Sequence, residues 1–209
     1  MKTIIWDYNG TIIDDVHLCL EVETFMLKER GMFSNYSVED YRDLFCFPVI
    51  DYYKKLGYTF EKESYEQISV EFNTLYDYGF PRCQLVEGVM EKIQESCQKG
   101  YRNVILSACR HDKLEAQTKQ LGIASYFDEI MGIDNDLAAS KIDLAKRWMN
   151  STDVKPDDCK FIGDSIHDME TALAIGVTDY QLVACGHQSY RVLKNATDHV
   201  VHTMQEVFF

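Results

Sequence analysis

Short apolar runs alternate along this chain with stretches in which apolar residues recur every three or four positions. The runs are TIIW at 3–6, NVIL at 103–106, EIMGI at 129–133, KFIG at 160–163, YQLVA at 180–184 and HVV at 199–201. Runs of that length, bounded by polar and glycine residues, predict buried strands. Between them, helical spacing predicts helices over Val89 to Lys99, Asp112 to Leu121, Lys141 to Met149 and Asp168 to Ala174. Gly100, Gly122 and Gly176 stand where these helices need a left-handed C-terminal cap. Strand and helix in alternation imply an α/β fold: a doubly wound, Rossmann-like parallel sheet with helices on both faces.

The segment 15–82 breaks this rhythm. It has no comparable strand run and is rich in Tyr, Phe, Glu and Lys. Leu18, Val22, Phe25 and Met26 fall on one helical face that ends at Gly31, and VEDYRDLF and SYEQISVEFNTLYDY also read as helices. A small all-helical cap domain, residues 15–82, is therefore expected within a core domain made of 1–14 and 83–209. The connections between them fall near Asp14 and Pro81. The stretch FCFPVIDYY at 45–53 reads as the aromatic centre of the helical lobe; Arg42 and these rings are also placed to face a crevice between the two parts.

Composition narrows the partners. The chain has 209 residues, 46% of them apolar, and a net charge of −13. An acidic chain of this kind is a poor ligand for nucleic acid or anionic membrane. Its seven cysteines are scattered, odd in number and without a C-x-x-C pair, as expected of reduced thiols in the cytoplasm. Asp7 interrupts the N-terminal apolar run, so neither a signal peptide nor a membrane span is expected. A monomer or weak homodimer is anticipated.

Candidate chemistry sits at the strand ends. In an open parallel sheet the loops after the strand C-termini form the ligand crevice. Asp7 follows TIIW, Ser107 follows NVIL and Asp164 follows KFIG, so three polar residues converge on one edge. A single aspartate in such a place is ordinarily a helix cap; three together are harder to explain that way. Gly10 and Thr11 suit a loop whose N–H groups turn inward to an anion. In GDSIHD, Asp164 and Asp168 are four residues apart on a loop entering a helix, so both can face one site. Paired acids there suit Mg²⁺, which takes oxygen ligands. Lys141 begins a helix, where its charge opposes the helix dipole; that favours a role over chance.

The order strand-DYNGT, strand-SA, helix-starting Lys, strand-GDSIHD resembles the haloacid dehalogenase-like superfamily, in particular its phosphoglycolate-phosphatase-like branch. The later GHQS at 186–189 and DHVV at 198–201 also resemble that branch, so the likeness spans the chain. The resemblance implies a Mg²⁺-dependent phosphatase that hydrolyses a small phosphorylated metabolite through an aspartyl phosphate. It assigns Asp7 as nucleophile, and Gly10, Thr11, Ser107, Ala108 and Lys141 to the phosphoryl oxygens. The metal falls to Asp7, Asn9, Asp164 and Asp168, with Asn9 acting through its main-chain carbonyl.

Position 9 departs from the pattern. Phosphatases of this type carry a second aspartate there as general acid and base; here it is Asn9. A neutral amide neither protonates a leaving alkoxide nor accepts a proton from water, a function worth ~10²–10⁴-fold. A slow phosphatase follows, or one suited to leaving groups that need no proton; Asp14, Asp15 and His17 are candidate substitutes, with Asp14 and Asp15 also in place as helix caps. Other readings are a 2-haloacid dehalogenase, a phosphonate hydrolase with a lysine from the cap (Lys28, Lys54, Lys55 or Lys62), and a regulatory protein that binds a phosphometabolite without turnover.

Overall fold

The computed structural model describes residues 1–135, 137 and 140–209. Its main sheet has six parallel strands: β1 (Thr3–Trp6), β4 (Arg102–Arg110), β5 (Glu129–Ile133), β6 (Cys159–Gly163), β7 (Tyr180–Val183) and β8 (Val200–Val201). Their spatial order is β5-β4-β1-β6-β7-β8. The first strand lies between β4 and β6, with Trp6 level with Ile105 on one side and Ile162 on the other. The chain order reverses about β1, so a crevice opens beyond its C-terminal end.

Both faces of the sheet are covered, which explains why its strands read as unbroken apolar runs. Ile4, Trp6 and Ile105 point to one face, where they meet Val89 and Ile93 of α5 (Val89–Gln98) and Leu114 of α6 (His111–Gln120). Ile5, Val104, Leu106 and Phe161 point to the other, against Ala145 and Trp148 of α7 (Ile142–Ser151), Ala172 of α8 (Ile166–Ala174) and Leu193 of α9 (Tyr190–Ala196). The period-two alternation of the pleat makes this division.

A short antiparallel pair, β2 (Ile13–Asp14) with β3 (Gln84–Leu85), carries the chain out of the sheet and back. The helical insertion between them consists of α1 (Val16–Glu29), α2 (Val38–Leu44), α3 (Val49–Leu56) and α4 (Tyr65–Gly79). Leu18, Val22 and Met26 are buried along α1 as the spacing predicts, but Phe25 is 48% exposed, since it lies off the face that packs on α4. Two further helices, α3 and α9, have no counterpart among the elements expected from the sequence; each spans only two turns, too short to display a helical period clearly.

The cap is tied to the core by polar contacts. Arg42 donates from Nε to Gly186 O at 2.8 Å and from its terminal nitrogen to Cys185 O at 2.7 Å. Gln188 Nε2 donates to Phe45 O at 2.9 Å, and Ser189 Oγ donates to Asp43 at 2.5 Å. Arg42 thus faces the core loop 185–189 and its carbonyls. No described helix is long and apolar enough to cross a membrane.

Candidate active site

Asp7 stands one residue past β1, in a cavity of about 160 Å³ between sheet edge and cap. Ser107, Ala108, Lys141, Asp164 and Asp168 line the same cavity, as do Asn9, Asp15 and His187. The strand ends therefore bring together what the sequence separates by more than a hundred residues. Ser107 and Ala108 lie where β4 shifts register against β5, between Leu106 and Arg110. Such an irregularity re-aims side chains at a sheet edge.

Lys141 is the N-cap residue of α7 and is 2% exposed. Its ammonium pairs with Asp7, with Asp168 at 2.6 Å, and donates to Leu106 O at 3.0 Å. Burial disfavours the lysine charge, but Asp168 and Asp7 outweigh it and hold the ammonium form more firmly than usual. Asp168 uses its other oxygen for Asp164 N, Ser165 N and Ser165 Oγ, at 3.1, 2.9 and 2.7 Å. Burial raises its pKa, yet Lys141 and Ser165 bring it below the ordinary value. Asp168 is thus a clamp on both Lys141 and the Asp164 loop.

Asp164 accepts from His187 N at 2.5 Å and from Thr11 Oγ1 at 3.3 Å. Burial pushes its carboxyl up to about 6, with His187 pulling down and Asp168 pushing up. Burial, and next Asp168, raise Asp7 well above the usual carboxylate range, against the opposing pull of Lys141. Three carboxylates, Asp7, Asp164 and Asp168, present oxygens within 4.8 Å of one another. With Lys141 as the cation among them, the cluster carries surplus negative charge in a buried place. An all-oxygen donor set with surplus negative charge fits a hard divalent cation.

The glycines permit this crowding. A Cβ on Gly10 would lie 2.4 Å from Asp164 Oδ2, and one on Gly186 would lie 2.1 Å from the same atom. Gly10 also has φ +73°, open to glycine without strain. The Gly10 N–H points to Ile13 O and Asp15 Oδ1, and the Thr11 N–H to Tyr8 O. The inward-facing, anion-binding N–H groups expected at these two positions are thus engaged within the loop itself, because the chain must turn sharply into β2.

His187 joins the site from outside the expected set, and it meets Asp15, a candidate proton carrier or helix cap by sequence, inside the cavity. Asp15 occupies the N-cap position of α1 but makes no side-chain capping bond. Its carboxylate is 1% exposed and accepts from His187 Nε2 at 3.1 Å, Asn9 Nδ2 at 2.7 Å and Tyr76 OH at 2.8 Å. Burial acts against that charge, but His187, Asn9 and Tyr76 lower its pKa overall. Burial likewise opposes the imidazolium, but Asp15 raises His187 to about 9. Asp14 and His17, by contrast, are exposed and outside the cavity. The signal for His187 was its position after β7, on the same edge as the other strand-end residues.

An open α/β sheet, a buried acid cluster with a lysine at its edge, and a helical cap over it define a hydrolase of the capped Rossmann-like type. Residues 4–180 match the family of haloacid dehalogenase-like hydrolases, and the chain belongs to that family. It is 24% identical over 174 residues to pyrophosphatase PpaX of Bacillus thuringiensis (strain Al Hakam), covering 81% of this chain and 77% of that protein. Its fold is similar to a haloacid dehalogenase-like hydrolase, SP0104, of Streptococcus pneumoniae, with TM-score 0.81, 20% identity and coverage of 99% and 96%. It is also similar to a predicted phosphoglycolate phosphatase of Haemophilus somnus 129PT, with TM-score 0.70, 14% identity and coverage of 97% and 94%.

Proposed function

We propose that this hydrolase is a Mg²⁺-dependent phosphatase acting on a small phosphate monoester. The observation that carries the reading is the Asp7–Lys141–Asp168 array beside Asp164 at the base of a capped cavity. Asp7 is the nucleophile, and Lys141 offsets the charge of the approaching phosphoryl group. Ser107 and Ala108 hold the phosphoryl oxygens. Asp7, Asp164 and the Asn9 main-chain carbonyl would hold the metal, while Asp168 positions Lys141. Bound Mg²⁺ would supply charge neutralisation at the phosphoryl oxygens. The core of 1–14 and 83–209 carries these groups, and the cap of 15–82 excludes water and selects the leaving group.

The competing chemistries fit less well. Dehalogenation needs no acid cluster, yet Asp164 and Asp168 are both present and buried. Phosphonate cleavage by a cap lysine needs that lysine in the cavity; among the described residues Lys28, Lys54, Lys55 and Lys62 all lie outside it. A binding protein without turnover remains the non-enzymatic reading, and phosphate release from a panel of monoesters, with and without Mg²⁺, separates the two. Release that requires Mg²⁺ supports the phosphatase; none from any ester overturns it.

A further inference from the structure

On the core side the cavity is polar, but on the cap side it is aromatic and acidic. Tyr41, Phe45, Tyr52, Tyr53, Phe72 and Tyr76 supply much of its wall. Among the described residues the cap contributes no Lys, Arg or His to the lining. The cations that do reach it come from the core and are engaged: Lys141 with Asp7 and Asp168, His187 with Asp15, and Arg110 with Asp112.

One acid lies inside this aromatic wall. Asp15, Cys19 and Glu23 follow at four-residue intervals on one face of α1, and all three line the cavity. At 1.5 Å per residue, Glu23 stands about 12 Å along the helix axis from Asp15, and so from the reacting end. Glu23 is 2% exposed. Its Oε2 is buried without a hydrogen-bond partner among the described residues, and the nearby Tyr53 hydroxyl acts to lower the carboxyl's pKa. The cation that acts on Glu23 from a distance, Arg30, is held by Glu63 and Glu71 at 2.7 and 2.5 Å. Burial pushes the Glu23 carboxyl up to about 8, and its charge in turn adds to burial in raising the hydroxyls of Tyr52 and Tyr53.

A buried, unpaired carboxyl costs stability unless something satisfies it. Electron-rich rings around it attract positive charge and repel negative charge. A leaving group that bears a carboxylate, such as glycolate, meets neither need. We propose that the cap end of the cavity is a subsite for an organic ammonium group, so that the substrate is a phosphate monoester whose alcohol or phenol carries a protonated or quaternary amine. Glu23 takes the positive charge, and the rings of Tyr52, Tyr53 and their neighbours flank it. The inference rests on the phosphatase reading of the Asp7 end, but it concerns a different part of the cavity.

Three para-substituted phenyl phosphates test it: trimethylammoniomethyl, its uncharged isostere neopentyl, and the anionic carboxymethyl. The expected result is a kcat/KM at least about tenfold higher for the ammonium ester than for the neopentyl ester, the size of one buried cation–aromatic contact. The carboxymethyl ester should be poorest. Glu23→Gln should lower the ammonium-to-neopentyl ratio several-fold, leaving only the share that the rings supply; an unchanged ratio would overturn the role of Glu23. Calorimetry of the three parent phenols with the wild-type chain reads the same preference without turnover. If phosphate is released but the neopentyl or carboxymethyl compound is used and bound as well, the ammonium subsite is overturned and the phosphatase reading stands. If no ester is hydrolysed but the ammonium phenol binds best, the subsite stands and the phosphatase reading falls.

Discussion

The Asn9 side-chain nitrogen donates to Asp15 Oδ2 at 2.7 Å, so the amide at position 9 and the carboxylate at position 15 are complementary partners. Two carboxylates at that separation would repel, or share a proton. Asp15 in turn balances the buried His187. The amide that departs from the family pattern thus belongs to a local network of Asn9, Asp15, Tyr76 and His187.

Asn9→Asp should therefore have two effects. Restoring an acid at position 9 should speed alkyl phosphate hydrolysis, within the ~10²–10⁴-fold range of acid–base catalysis, and aryl phosphates less. It should also destabilise the chain by roughly 1–3 kcal/mol, since a buried donor is lost and a like charge is gained. Denaturant titration checks the second effect. Combining it with Asp15→Asn should cost less than the sum of the two single changes, because an amide again faces a carboxylate. Intact-mass analysis must first exclude deamidation at Asn9-Gly10, which would mimic the variant.

Asp7→Asn should reduce phosphate release to background while leaving the fold intact. It removes one of three mutually repelling carboxylates, so the melting temperature should hold or rise in the absence of metal. Retention of wild-type activity on the best ester would disprove the role of Asp7.

Mg²⁺ should raise the melting temperature of the wild-type chain. At a hundredfold excess over its dissociation constant the gain is about 2.7 kcal/mol. Asp164→Ala should lose most of that gain and the metal-dependent activity with it. An equal shift in wild type and variant would place the metal elsewhere.

Arg42→Ala should loosen the cap, because it removes the bonds to Gly186 O and Cys185 O. Faster amide exchange over 185–189 and a raised KM are expected, with the nucleophile untouched. Unchanged exchange in that loop would show that Gln188 and Ser189 suffice to hold the cap.

Glu23 gives a pH signature of stability. Its folded-state pKa, about 8, lies above the ordinary 4.5, so its contribution is present below about pH 4.5 and is lost as pH rises through 8. The full swing is on the order of 3–5 kcal/mol. Glu23→Gln does not titrate, so its stability relative to wild type should increase between pH 5 and pH 9. A constant difference across that range would show that Glu23 titrates as an ordinary exposed acid.

The sequence by itself determined the architecture and the reacting end. Strands buried on both faces are largely apolar along their length, so TIIW, NVIL and KFIG were legible as runs, and the residues just past them had to lie on one edge. That placed Asp7, Ser107 and Asp164 together. Spacing in GDSIHD put Asp168 beside Asp164, Lys141 stood out at its helix start, and the family pattern added a role for each. What only the tertiary structure decided were contacts between segments with no shared period. Asp15 reads as a helix cap until His187, 172 positions later in the chain, lies 3.1 Å from it. Gly10 and Thr11 look like an anion cradle until their N–H groups are seen closing the turn. Glu23 looks like one more surface acid of a helix. Its burial depends on how α1 meets the other cap helices, and that packing follows from side-chain shape in three dimensions, which spacing along the chain does not encode.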